Sequence, residues 1–232
     1  MTPRPYQLEA IARVKESCFE EGINNLLIQK PTGAGKTVFF SLLPDAINIG
    51  ERRVLVLAHR EELVEQAAAK LKVWNPDKSV GIEMGVHRAG DAQIVVASVQ
   101  TIGRTGSIRL EQFDPETFGL IVVDETHHSV ATSYGNVLDY FRVKERKDIL
   151  HVGVTATTKR FDGKGLGKIY DKIAYQLSIH DAIEDGWLVD LVGKKISSAT
   201  SLDEVKASFW VVGHTEAIFE FGALFAHRVT VS

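Results

Sequence analysis

Short, nearly continuous apolar runs alternate along this chain with longer stretches of helical period. Residues 26–28, 54–58, 94–98, 120–123 and 149–155 read as strands covered on both faces of a sheet, because none shows the polar alternation of a half-exposed strand. Residues 80–83 and 173–177 are weaker strands, and 188–196 suit an edge strand. Between them, residues 5–21 predict a helix with Leu8, Ile11, Ala12, Val14 and Phe19 on its apolar stripe and Gly22 at its end. Helices are also expected over 38–47, 62–73, 134–141 and 179–185; Leu63, Ala67 and Leu71 share one side of the third, which Pro76 stops. Residues 103–119 read as mostly loop. Strands alternating with helices across short turns predict an α/β fold, a mainly parallel sheet with helices on both faces. Ligands of such sheets gather at the carboxyl ends of the strands, so the residues directly after each strand carry the information.

Composition changes this picture little. At 232 residues, 44% hydrophobic and 25% charged, the chain is an ordinary globular sequence. The expected organisation is one domain over 1–196 and an uncertain tail over 197–232, whose last part lacks a clear period. A lone cysteine, Cys18, excludes an internal disulfide and suits packing within a helix. The net charge of −3 argues against a strongly basic nucleic-acid module but permits a local basic groove. No run of about 18 apolar residues predicts a membrane span, and the N-terminus lacks a signal-peptide core. A cytoplasmic location in a bacterial or phage-like setting is the expectation.

The strand ends hold the chemistry. After the first strand comes KPTGAGKT, residues 30–37. Thr32, Gly33, Ala34 and Gly35 can turn backbone N–H groups towards phosphate oxygens, aided by the start of the next helix. Lys36 can reach β- and γ-phosphates, and the Thr37 hydroxyl can ligate Mg²⁺. Lys30 stands where the strict pattern has glycine. Asp124 and Glu125 follow the strand at 120–123; beside a phosphate loop, the first suits a Mg²⁺-holding carboxylate and the second a group that orients or deprotonates water. His127 and His128 have the wrong spacing for zinc and suit a polar relay. Arg60, and donors at Gln100 and Thr101, could meet a phosphodiester backbone. GKGLG, residues 163–167, does not match a dinucleotide fingerprint and reads as a loop.

Taken in order, KPTGAGKT, AHREEL, SVQTI, DETHH and TAT resemble motifs I, Ia, Ib, II and III of superfamily II DEAD/DEAH-box helicases. The stretch over residues 4–196 resembles their first RecA-like ATP-binding domain, in the branch shared with type III restriction subunits. The resemblance implies ATP and Mg²⁺ as cofactors and Gln7, in RPYQLEAI, at the adenine. It implies Lys36, Asp124 and Glu125 as catalytic residues, with Thr37 and Asp124 holding the metal. His127, Thr155 and Thr157 would couple nucleotide state to nucleic-acid grip, and Arg60, Gln100 and Thr101 would touch the strand. DNA is the expected partner and RNA the other candidate. Thr126 replaces the Ala of DEAH and is expected to point away from the chemistry; Thr158 stands where Pro often follows TAT.

No Q-x-x-G-R-x-x-R pattern of motif VI follows residue 196, so a second RecA-like domain or a partner chain is expected to supply those arginines. An arginine finger contributes about 10³–10⁵ in rate in phosphoryl-transfer systems. The expected function is therefore an ATP-dependent helicase or translocase ATPase domain, weak in isolation. The alternatives are a non-catalytic ATP- and nucleic-acid-binding module and the motor part of a restriction complex.

Overall fold

The computed structural model describes residues 2–126, 132–157 and 165–190. The chain divides into two compact units, one of 1–31 with 35–177 and one of 32–34 with 178–232. The first contains the whole sheet. Strands β1 (Asn25–Gln29), β2 (Arg53–Ala58), β3 (Val80–Glu83), β4 (Ile94–Ser98), β5 (Phe118–Val123), β6 (Leu150–Thr155) and β7 (Lys172–Gln176) lie in the order β3-β4-β2-β5-β6-β1-β7. Every neighbouring pair is parallel.

Alternate residues of the central strands feed two cores, as a period of two demands. Leu26, Ile28, Val54, Val56, Leu120, Val122, Val152 and Val154 share one core with residues from α1 (Pro5–Lys15), α2 (Lys36–Ala46) and α3 (Glu61–Trp74). Leu55, Leu57, Val95, Ala97, Ile121 and Val123 share the other with residues of α4 (Val99–Ile102), α5 (Ile108–Glu111) and α6 (Thr132–Tyr140). Burying both faces explains why these strands read as continuous apolar runs. Each expected strand up to residue 177 is present, within one or two residues of its expected bounds.

Three expectations need correction. The first helix turns Leu8, Ala12 and Phe19 outward and buries Tyr6, Gln7, Ala10, Ile11 and Val14. A π-helical turn over Glu16–Glu20 shifts the phase of its last turn, so a stripe drawn at 3.6 residues overshoots. Residues 103–119 are less irregular than expected: they contain α5, capped by the Ser107 hydroxyl, and a 3₁₀ turn at Pro115–Thr117. Residues 188–190 form no strand, and 191–196 fall outside the described residues. Cys18 is half-buried and its thiol lies 3.5 Å from the Asn24 amide oxygen; burial raises its pKa.

In the second unit, α7 (Ile179–Glu184) begins with a reciprocal cap. The Ser178 hydroxyl accepts from the Asp181 N–H (3.0 Å) and the Asp181 carboxylate accepts from the Ser178 N–H (3.3 Å). Gly33 has φ of +84°, and a Cβ there would meet a methyl group of Leu188 at 3.3 Å. The tail, Gly163 and Lys164 of GKGLG, and Thr158 fall outside the described residues; Leu166–Lys168 forms a 3₁₀ turn in the first unit.

Candidate nucleotide site

The register of the sheet sets where chemistry can meet. Gln29 of β1 pairs with Thr155 of β6, Val123 of β5 pairs with Gly153 of β6 and with Leu57 of β2, and Ala58 pairs with Ser98 of β4. The carboxyl edge therefore presents, in order, Gln100 and Thr101, then Arg60, then Asp124 and Glu125, then Thr155, then the loop after β1. Strands β1 and β5 flank β6, about 10 Å apart at the usual strand spacing.

Two side chains close that gap. Lys36, the first residue of α2, places its Nζ 2.7 Å from a carboxylate oxygen of Glu125. The lysine side chain is 10% exposed and the glutamate 26%, so the pair is shielded more than a surface salt bridge. Glu125 adopts φ of +48°, in the left-handed region that side chains seldom occupy. Such conformations cost of order 1 kcal/mol and cluster at functional sites. Asp124, buried beside it, receives the Glu125 N–H on its carboxylate at 3.0 Å, and its own N–H donates to the Leu57 carbonyl at 2.9 Å. These bonds fix the turn that leaves β5.

The loop is shaped from α1. Gly35 caps α2 with φ of +65°, and a Cβ there would lie 2.6 Å from the Gln7 amide nitrogen. Gln7 is buried; its amide donates to the Gly35 carbonyl at 3.4 Å and accepts the Arg4 N–H at 2.9 Å. Both ends of the amide are thus engaged within the chain, tying the start of α1 to the start of α2. Thr37 is half-buried in the first turn of α2, where its carbonyl receives the Ser41 hydroxyl. Thr32, Gly33 and Ala34 belong to the second unit, with Thr32 and Gly33 exposed and Ala34 buried.

Of the coupling candidates, Thr155 is buried at the end of β6 and its hydroxyl donates to the Thr157 carbonyl at 3.0 Å. Its own carbonyl receives the Lys30 N–H at 2.9 Å, joining the end of β6 to the start of the phosphate loop. His127 and His128 lie outside the described residues. Of the nucleic-acid candidates, Arg60 and Gln100 are exposed and Thr101 half-buried. The Arg60 carbonyl opens α3, and the Gln100 carbonyl accepts from Arg104 at 3.0 Å.

Two features had no signal in the sequence. Thr126 is fully buried, and its hydroxyl is hydrogen-bonded to that of Tyr170. The Tyr170 ring stacks on His151 and occupies the space that a Cβ on Gly153 would need. This lashes the residue after Glu125 to β6. Tyr134, from α6, buries its hydroxyl nearby; burial first, then the charges of Asp124, Tyr170 and Glu125, raise its pKa. His151, wholly buried, is pushed down to about 3 by desolvation, with Lys144 adding to the effect.

A parallel sheet with a glycine-capped lysine at one strand end and a paired carboxylate at another defines a RecA-like phosphate-loop domain. Residues 1–160 match the family described as "Type III restriction enzyme, res subunit", and the chain belongs to it. It is 37% identical over 215 residues to the putative ATP-dependent helicase IRC3 of Saccharomyces cerevisiae, covering 88% of this chain and 30% of that protein. It is 36% identical over 192 residues to the putative mitochondrial ATP-dependent helicase irc3 of Schizosaccharomyces pombe, covering 81% and 31%. The chain thus spans about a third of the length of these relatives. The helicase domain of Pyrococcus furiosus Hef superposes with a TM-score of 0.61 at 27% identity, over 75% of this chain and 38% of that one. These likenesses bear out the first RecA-like domain of a superfamily II helicase, a family of ATP users. The bacterial or phage setting is not borne out, since one relative is named as mitochondrial. Among the described residues no helix is long and apolar enough to cross a membrane.

Proposed function

We propose that this chain is the ATP-binding half of a DNA helicase or translocase motor and that it hydrolyses ATP with Mg²⁺. The observation that carries the reading is the Lys36–Glu125 ion pair, formed between the ends of two strands that a third separates. An isolated surface pair contributes little to stability, but a shielded ammonium beside the Glu125 carboxylate at a glycine-capped helix start is suited to a polyphosphate. The triphosphate competes with Glu125 for Lys36. Once released, Glu125 accepts a hydrogen bond from the attacking water and draws its proton. Its left-handed backbone aims the side chain, and the Asp124 and Thr126 contacts hold that turn still.

Thr37 and Asp124 suit Mg²⁺, a hard cation that takes oxygen ligands: one offers a hydroxyl at a helix start, the other a buried carboxylate. The metal would neutralise charge developing on the phosphates. Gln7 acts on the nucleotide by fixing the loop, and contact with adenine is a further assignment. Thr32, Gly33, Ala34 and Gly35 would donate backbone N–H groups to phosphate. Thr155 and Thr157, with His127, would pass the nucleotide state along the edge to Arg60, Gln100 and Thr101, which would hold the DNA backbone. RNA remains the other candidate substrate. A second RecA-like domain or a partner chain would complete the site with arginines, so turnover by this chain alone is expected to be slow.

The test is ATP turnover by this chain with and without single-stranded and duplex DNA, beside Glu125→Gln. Turnover lost in the variant while ATP binding persists supports the reading. Binding without turnover, in the presence of DNA and of a second RecA-like domain or partner chain, returns the non-catalytic module instead.

A further inference from the structure

Lys30 opens the phosphate loop, yet none of the contacts described above uses its side chain. It is fully buried, and its Nζ has no hydrogen-bond partner among the described residues. Its surroundings are two aromatic rings: Tyr6 of α1, with the ring centre 4.6 Å from Nζ, and Phe39 of α2, at 5.2 Å. The charged groups that act on it from the elements around it are Arg4, just before α1, and Lys36 of α2; both are cations. On the β6 side the Thr155 carbonyl takes the Lys30 backbone N–H, not its side chain. The Glu125 carboxylate is held by Lys36. A buried cation is ordinarily paired or neutral, since desolvation costs several kcal/mol.

We propose that Lys30 is a second cationic binding group for the nucleotide's phosphates, seated beneath the loop and acting through its field on an anion that the chain itself does not supply. The proposal rests on the nucleotide reading above. Without an anion, burial first, then Arg4 and Lys36, push the Lys30 amine down to about 7, so much of it is neutral at physiological pH. A bound polyphosphate reverses the local field: it engages Lys36 and adds negative charge, which favours the ammonium form. Binding therefore takes up a proton at Lys30, and the aromatic faces of Tyr6 and Phe39 receive the resulting cation. A cation placed here by direct burial would be costly in the free protein; one formed with the ligand is not.

The experiment is titration calorimetry of Mg²⁺-ADP, which is not hydrolysed, into the protein in buffers of different ionisation enthalpy, at pH 6 and pH 8. The expected result is uptake approaching one proton at pH 8 and little at pH 6, where Lys30 is already charged. Affinity falls by up to tenfold per pH unit above pH 7 in the wild type. Lys30→Met, whose fold is checked by its unfolding transition, loses both the uptake and the pH slope. ADP bound at pH 8 with no proton uptake overturns the role of Lys30 and leaves the nucleotide reading standing. Equal uptake in the wild type and in Lys30→Met overturns it as well. ADP and ATP that bind at neither pH overturn the nucleotide reading beneath it.

Discussion

At the end of β3, Glu83 is 3% exposed and is met by Arg109 at 3.0 Å, Arg88 at 3.6 Å and the Ala89 N–H at 2.9 Å. Just past the end of β1, Lys30 is buried as deeply and is met by two rings and two like charges. Both sites bury charge on the carboxyl edge of one sheet, but among the described residues only the first meets an opposite charge. The Glu83 cluster is a fastening for the turn between β3 and β4. The β1 end is arranged for something that arrives. Charge satisfied internally reads as structure, and charge left in need of an anion reads as a binding site.

Substitutions should separate the two ends cleanly. The largest effect is on chemistry at the inner end: Glu125→Gln lowers ATP turnover by about 10²–10⁴, the usual worth of a positioned base, with little change in thermal unfolding. At the outer end Glu83→Ala does the reverse. Arg109, whose side chain is 16% exposed, loses its partner, and chemical denaturation should show a loss of about 3 kcal/mol while the fraction still folded turns over ATP. Equal effects of the two changes on stability would erase the distinction.

Lys30→Met sharpens the comparison through pH. The folded state holds the Lys30 amine near 7 against an ordinary 10.5, so between those values the unfolded chain binds more protons. Wild-type stability then gains with rising pH in that window, by up to about 1.4 kcal/mol per unit, and is depressed at pH 6 where the charge is buried. Lys30→Met should therefore be the more stable protein at pH 6, with its advantage shrinking by pH 9, as read from paired denaturation curves. The smallest effect is Tyr170→Phe, which removes the hydrogen bond between the Tyr170 and Thr126 hydroxyls; it should cost about 1 kcal/mol of stability and lower kcat more than it raises KM.

Much of this was legible in the residues, for reasons that differ by place. The sheet could be read because strands buried on both faces leave continuous apolar runs, as in β2 and β5. Lys36, Thr37, Asp124 and Glu125 stand out in the sequence because phosphate chemistry draws on those groups directly after strands, and the fold brings Lys36 and Glu125 together. The stripe of the first helix failed at Phe19, since a π-helical turn changes phase without a residue that announces it. Thr126 looked idle because its partner, Tyr170, lies far along the chain and is brought to it only by the packing over Gly153. Lys30 appeared as a mere departure from a motif; only its burial between Tyr6 and Phe39 gives it a meaning. Arg60, the N-cap of α3, and Gln100, within α4, are both exposed.

The central claim, that the inner end of the carboxyl edge binds nucleotide through Lys36, is tested most directly by equilibrium binding of a fluorescent Mg²⁺-ATP analogue to the wild type and to Lys36→Ala. Saturable wild-type binding, weakened at least about tenfold in a variant with an unchanged unfolding transition, is the predicted result; a loss of that size corresponds to about 1.4 kcal/mol. Equal binding by the two proteins would contradict the claim.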